Sequence, residues 1–121
     1  MPPVSLDAQN VVILVFAMDG CPACEHYVPR LLREAEALRA EGYPFVIYQP
    51  GVPLAPRTIP IVVYDAATPD VDVQKLADRY AVQATPTTIV ATRGPGGFKS
   101  EGSLANNQAR WLLLMANEAN R

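Results

Sequence analysis

Residues Val11–Leu32 read VVILVFAMDGCPACEHYVPRLL, and the rest of the chain is organised around them. Val11–Met18 is an apolar run of eight residues, rich in Val and without polar alternation, the pattern of a strand buried on both faces of a parallel sheet. It is far too short to span a membrane. Asp19 and Gly20 then turn the chain and deliver Cys21-Pro22-Ala23-Cys24 onto the start of a helical pattern. Cys21 falls at the N-cap and Pro22 at the first helical position, where its missing N–H is not needed and its fixed φ favours the helix.

A thiol at a helix N-terminus meets unpaired backbone N–H groups and the positive end of the helix dipole, so its thiolate is stabilised. Cys24 lies about one helical turn further on, where it can resolve a mixed disulfide formed by Cys21. Zinc sites use the same Cys-x-x-Cys spacing. Zinc, however, usually takes four ligands, and His26 is the only further Cys or His donor. It is two positions past Cys24 and points away from the face the cysteines share. The residues therefore favour redox chemistry over metal binding, and no cofactor is expected.

Composition sets the class. With 121 residues, half of them hydrophobic, the chain can fill one packed domain and is short for two, so residues 1–121 are read as a single domain. Net charge is −2 and the basic residues are scattered singly, which argues against a nucleic-acid partner. Two cysteines alone do not make the disulfide framework of a small secreted domain. The stretch MPPVSLDAQN has no Lys or Arg ahead of the apolar run and no cleavage site follows that run, so a cytoplasmic, membrane-free protein is expected.

Residues 1–10 read as an irregular arm with one helical turn after Ser5. Val28, Leu31, Leu32, Ala35 and Leu38 recur at helical spacing and predict an amphipathic helix over 22–41, stopped by Gly42 with Pro44 beyond. Pro29 falls inside it and removes one hydrogen bond, bending the helix. Arg39 suits the last turn and has no assigned role. Phe45–Gln49 reads as a strand, and Ile59–Tyr64 as another that Pro60 pushes toward a sheet edge. A short helix over 73–80, a strand over 85–92, a pairing strand over 98–101 and a final helix capped by Ser103 complete the chain. Leu104, Trp111, Leu112 and Met115 supply that last helix's buried stripe.

This order of elements, with CPAC after the first buried strand and Ala84-Thr85-Pro86-Thr87 opening a later one, resembles the thioredoxin-like superfamily over most of the chain. The resemblance implies an α/β fold, a central mixed β-sheet flanked by helices. It implies a nucleophile at Cys21, a resolving thiol at Cys24 and a cis-proline at Pro86 lying against the dithiol. It also places the family's helix-kinking proline at Pro29, which otherwise reads as a kink without a role. Pro22 and Ala23, between the cysteines, and Thr85 and Pro86 are then the substrate-contacting residues, with the backbone beside Thr85 pairing with an extended substrate segment. A metal cluster shared between two copies, as in some glutaredoxins, is the metal alternative.

The sequence departs from thioredoxins proper, which carry Trp-Cys-Gly-Pro-Cys where this chain has Gly20 before Cys21 and Pro-Ala between the cysteines. They bury an aspartate six residues before the first cysteine, and here that position is Val15, which leaves the base assisting Cys24 unassigned. About twenty residues around 50–68 read as an insertion before the proline. Glu25 suits the helix dipole, and its charge disfavours ionisation of Cys24. His26 reads as a surface residue, and Tyr27, Tyr48, Tyr64 and Tyr80 as core or rim aromatics. Arg57 is a solvated loop charge or a guide for an anionic substrate such as glutathione. The implied function is a monomeric thiol–disulfide oxidoreductase, a disulfide reductase acting on protein disulfides, with a dithiol reductase or glutathione as electron donor. The alternative is a non-catalytic thioredoxin-fold interaction module.

Overall fold

The computed structural model describes residues 9–121, so the helical turn expected after Ser5 lies outside the described residues. In chain order the elements are β1 (Val11–Ala17), α1 (Pro22–Ala40), β2 (Phe45–Ile47), β3 (Ile59–Asp65), α2 (Val71–Arg79), β4 (Thr87–Thr92), β5 (Phe98–Glu101) and α3 (Asn106–Ala119). The strands form one mixed sheet in the order β2-β3-β1-β4-β5. Strands β1, β2 and β3 run parallel, while β4 is antiparallel to both β1 and β5.

β1 sits at the centre of this sheet, and its sequence explains why. Val11, Ile13 and Val15 point into a cluster with Tyr27, Leu31 and Leu38 of α1 and Leu112 and Leu113 of α3. Val12, Leu14 and Phe16 point into a second cluster with Val62, Tyr64 and Val73. A strand covered on both faces has no place for alternating polar residues.

α1 buries Cys24, Tyr27, Leu31, Ala35 and Leu38 at three- and four-residue spacing and runs unbroken across Pro29, which stays exposed. It ends in a Schellman motif: the Gly42 N–H donates to the Arg39 carbonyl and the Tyr43 N–H to the Leu38 carbonyl. Gly42 has φ +101°, a conformation that glycine adopts without strain.

β3 is an interior strand, not the edge that Pro60 suggests. The β1–β3 ladder begins at Ile13 opposite Ile61, one residue past Pro60, so the missing N–H falls before the ladder it would have weakened. Within the segment around 50–68 that reads as an insertion, strand and loop separate clearly. Residues 59–65 belong to the core of the sheet, and the irregular stretch is 48–58. That stretch leaves β2 and returns to the start of β3, where the Ala55 carbonyl accepts from Gln9 Nε2 and the Arg57 carbonyl from Asn120 Nδ2. Arg57 therefore sits at the N-terminal end of β3, about 20 Å of extended chain from the end where β1 releases the cysteines. It is not positioned to guide a substrate to them.

Two expectations for α3 also change. Ser103 does not cap the helix; Ala105 is the N-cap residue, and its backbone N–H donates to Gln108 Oε1 at 3.0 Å. The buried stripe is Ala109, Leu112, Leu113 and Ala116, whereas Trp111 is 59% exposed and Met115 41%. No helix among the described residues is long and apolar enough to cross a membrane.

Candidate active site

Gly20, with φ +75°, makes the left-handed turn that joins the end of β1 to α1. Cys21 takes extended backbone angles as the N-cap and Pro22 begins the helix, as the spacing predicts. The Cys24 N–H donates to Cys21 Sγ at 3.2 Å, so the sulfur fills the place that a Ser or Asp oxygen usually takes at a helix start. Cys21 and Cys24 are joined as a disulfide, with Cα atoms 5.2 Å apart. Their environments differ: Cys21 is half-buried, and Cys24 is 3% exposed.

The chain brings a second segment to the same place. The Thr85–Pro86 peptide bond is cis. Cys21 Sγ lies 3.7 Å from both the carbonyl oxygen and Oγ1 of Thr85, although 64 residues separate them in sequence. In the disulfide the sulfur has no proton to give, so only the Thr85 hydroxyl can donate; after reduction a thiol could donate to the Thr85 carbonyl as well. The turn before β4 is pinned by the Thr87 hydroxyl on the Ala84 carbonyl and by the Gly102 N–H on the Pro86 carbonyl. Thus Cys21, Cys24, Thr85 and Pro86 are gathered at one end of the sheet, with Pro22 and Ala23 exposed on the first turn of α1.

Three solved structures are similar to this chain in fold. A chloroplastic thioredoxin z is 17% identical, with a TM-score of 0.60 over 93% of this chain and 81% of its own. Thioredoxin-2, described as a component of the malaria parasite protein secretion machinery, is 16% identical, with a TM-score of 0.61 over 88% and 82%. The germline-specific thioredoxin Deadhead of Drosophila melanogaster is 14% identical, with a TM-score of 0.56 over 89% and 81%.

The chain has a thioredoxin-like fold. No protein-family model and no curated protein matches its sequence. At such identities the likeness lies in backbone topology, so what is particular to this thioredoxin-like chain must be read from its own residues.

Several of those are not apparent from the sequence motif. A groove of about 410 Å³ borders Cys24, with Met18 and Val63 as apolar walls and Asp19, Glu25 and Asp65 as carboxylates; among the described residues no Lys or Arg lines it. Ser103 Oγ donates to the Ala23 carbonyl at 3.3 Å, tying the turn between the cysteines to the loop before α3. Arg30 reaches the same loop through the Leu104 carbonyl. Val15 is fully buried among apolar side chains. His26 is exposed on the outer side of α1. Among the described residues no group of three or more His, Cys, Asp and Glu is disposed to hold a metal ion.

Proposed function

We propose that this protein is a thiol–disulfide oxidoreductase that reduces protein disulfides through Cys21 and Cys24. The observation that carries this reading is the asymmetry of the pair: Cys21 is half-buried and its Sγ receives the Cys24 N–H and faces Thr85, while Cys24 is 3% exposed. The thiolate of Cys21 attacks one sulfur of the substrate disulfide. The new S–S bond forms as the old one breaks, and the leaving sulfur departs as thiolate. Cys24, losing its proton, then attacks Cys21 Sγ and releases the second substrate thiolate. Two electrons pass from the protein dithiol to the substrate, and an external dithiol restores the starting state.

Thr85 is a half-buried residue beside Cys21, in a place that suits pairing with an extended substrate segment, while Pro22 and Ala23 contribute the apolar rim. The protein is proposed to act as one domain and as a monomer in the cytoplasm, where its resting state is the dithiol. The test uses insulin with a dithiol supply. Wild type should accelerate insulin reduction, and Cys24→Ser should accumulate a mixed disulfide through Cys21. Failure of both removes the proposal. An interaction module without catalysis is the competing reading, motivated by the apolar Val15, and a Cys21 pKa equal to that of a free thiol would favour it.

The groove bears on the electron donor. Its carboxylates repel anionic thiols at short range and are screened by salt. The rate of reaction with glutathione disulfide is therefore expected to rise about threefold from low to high ionic strength, while that with uncharged hydroxyethyl disulfide stays level. Level rates for both would show that the groove's charge does not act. The same repulsion favours a dithiol reductase over glutathione as donor.

A further inference from the structure

The exchange chemistry leaves one buried feature unused. Tyr27 and Thr88 are both fully buried, and the phenol oxygen lies 2.7 Å from Thr88 Oγ1. A hydroxyl in an apolar core is costly unless it is paired, and a pair of apolar residues could fill the same space without that demand. What a polar pair adds is a fixed relative geometry for the elements that carry it.

Those elements are the two halves of the candidate site. Tyr27 stands three residues after Cys24 on α1, on the face turned to the sheet. Long helical side chains lean back over the preceding turn, which here is the turn carrying Cys24. Thr88 stands two residues after Pro86 on β4, directly opposite Val15 of β1. The hydrogen bond therefore joins the dithiol helix to the proline strand close to where Cys21 Sγ meets Thr85.

We propose that the Tyr27–Thr88 hydroxyl pair is a positioning device for Cys21, holding the start of α1 against the start of β4 so that the Thr85 hydroxyl stays on the sulfur when the disulfide opens. The inference rests on Cys21 being the nucleophile. Of the two donors at that sulfur, the Cys24 N–H belongs to the same helix and travels with it, whereas the Thr85 hydroxyl belongs to the turn that leads into β4. Only the second depends on how α1 sits on the sheet. Burial raises the Tyr27 pKa, with the Thr88 bond and the Arg30 charge pulling the other way, so the phenol keeps its proton while Cys21 ionises.

The test compares wild type, Tyr27→Phe, Thr88→Val and the double variant, each change keeping the shape of the side chain. Each single variant strands one buried hydroxyl and should lose stability; the double variant removes both and should recover most of it in urea unfolding. In the reduced proteins the Cys21 pKa is then read from the pH dependence of alkylation. The expected result is a raised Cys21 pKa in all three variants, the recovered double variant included, with mixed-disulfide formation at pH 7 slowed at least about threefold. A stable double variant with wild-type pKa and rate overturns the inference, since the pair would then matter only to packing. Should the double variant not fold, a wild-type Cys21 pKa in either single variant has the same force. Wild type without mixed-disulfide formation removes the nucleophile reading and this inference with it.

Discussion

Replacing Cys21 with serine is expected to abolish insulin reduction completely, whereas Cys24→Ser should stop turnover but leave the first exchange step at close to its wild-type rate. A serine hydroxyl forms no disulfide and is not ionised at neutral pH, so no partial chemistry survives at position 21. At position 24 the group that meets Cys21 Sγ is the backbone N–H, at 3.2 Å, and a side-chain substitution leaves it in place. Exposure adds to the difference. Cys24 is 3% exposed, and Cys21 is only half-buried. In reduced wild type, iodoacetamide at pH 7 should therefore label Cys21 at least about a hundredfold faster than Cys24, read by peptide mass mapping. Equal labelling would contradict both the capped nucleophile and the buried resolving thiol.

The local parts of this site were legible in the sequence because local rules decide them. A Cys at an N-cap, a Pro at the next position and a Gly where the chain must turn left-handed specify the strand-to-helix junction without reference to the rest of the fold. The apolar run Val11–Phe16 could only be central, since both of its faces demand cover. Non-local facts were harder to read. Whether Pro60 weakens the sheet depends on where the β1–β3 ladder starts, and the register, not the residue, answers that. The Tyr27–Thr88 bond joins residues 61 apart, and nothing in either segment announces the other. In α3 the five residues from Trp111 to Met115 are all apolar, so hydrophobic periodicity selects no phase. The small residues Ala109 and Ala116, which carry little hydrophobic signal, are buried in the cluster that holds Tyr27, Leu31 and Leu38 of α1. Trp111 faces outward, with the ring of Phe98 6.4 Å away.

That distinction predicts opposite costs for two large aromatic residues. Phe16→Ala should destabilise the protein by about 3–5 kcal/mol, and Trp111→Ala by less than about 1 kcal/mol. Phe16 is fully buried in the central strand, pairs with Tyr64 on β3 and Thr87 on β4, and stacks on the Tyr64 ring at 5.4 Å. Truncation leaves a cavity in the cluster with Val62, Tyr64 and Val73, where close packing allows only partial collapse. Against a total stability of roughly 5–15 kcal/mol, the loss should lower the melting temperature by on the order of 10–20 °C. Trp111 forfeits a partial contact with Phe98 and little burial, so its melting temperature should move by only a few degrees. Thermal unfolding of the two variants decides the matter, and equal losses would place Trp111 in the core after all. Phe16 also stands five residues before Cys21, opposite the residue that follows Pro86. The Phe16→Ala variant is therefore expected to lose exchange rate below its melting temperature as well, because Phe16 pairs with Thr87, whose hydroxyl holds the turn that meets Cys21.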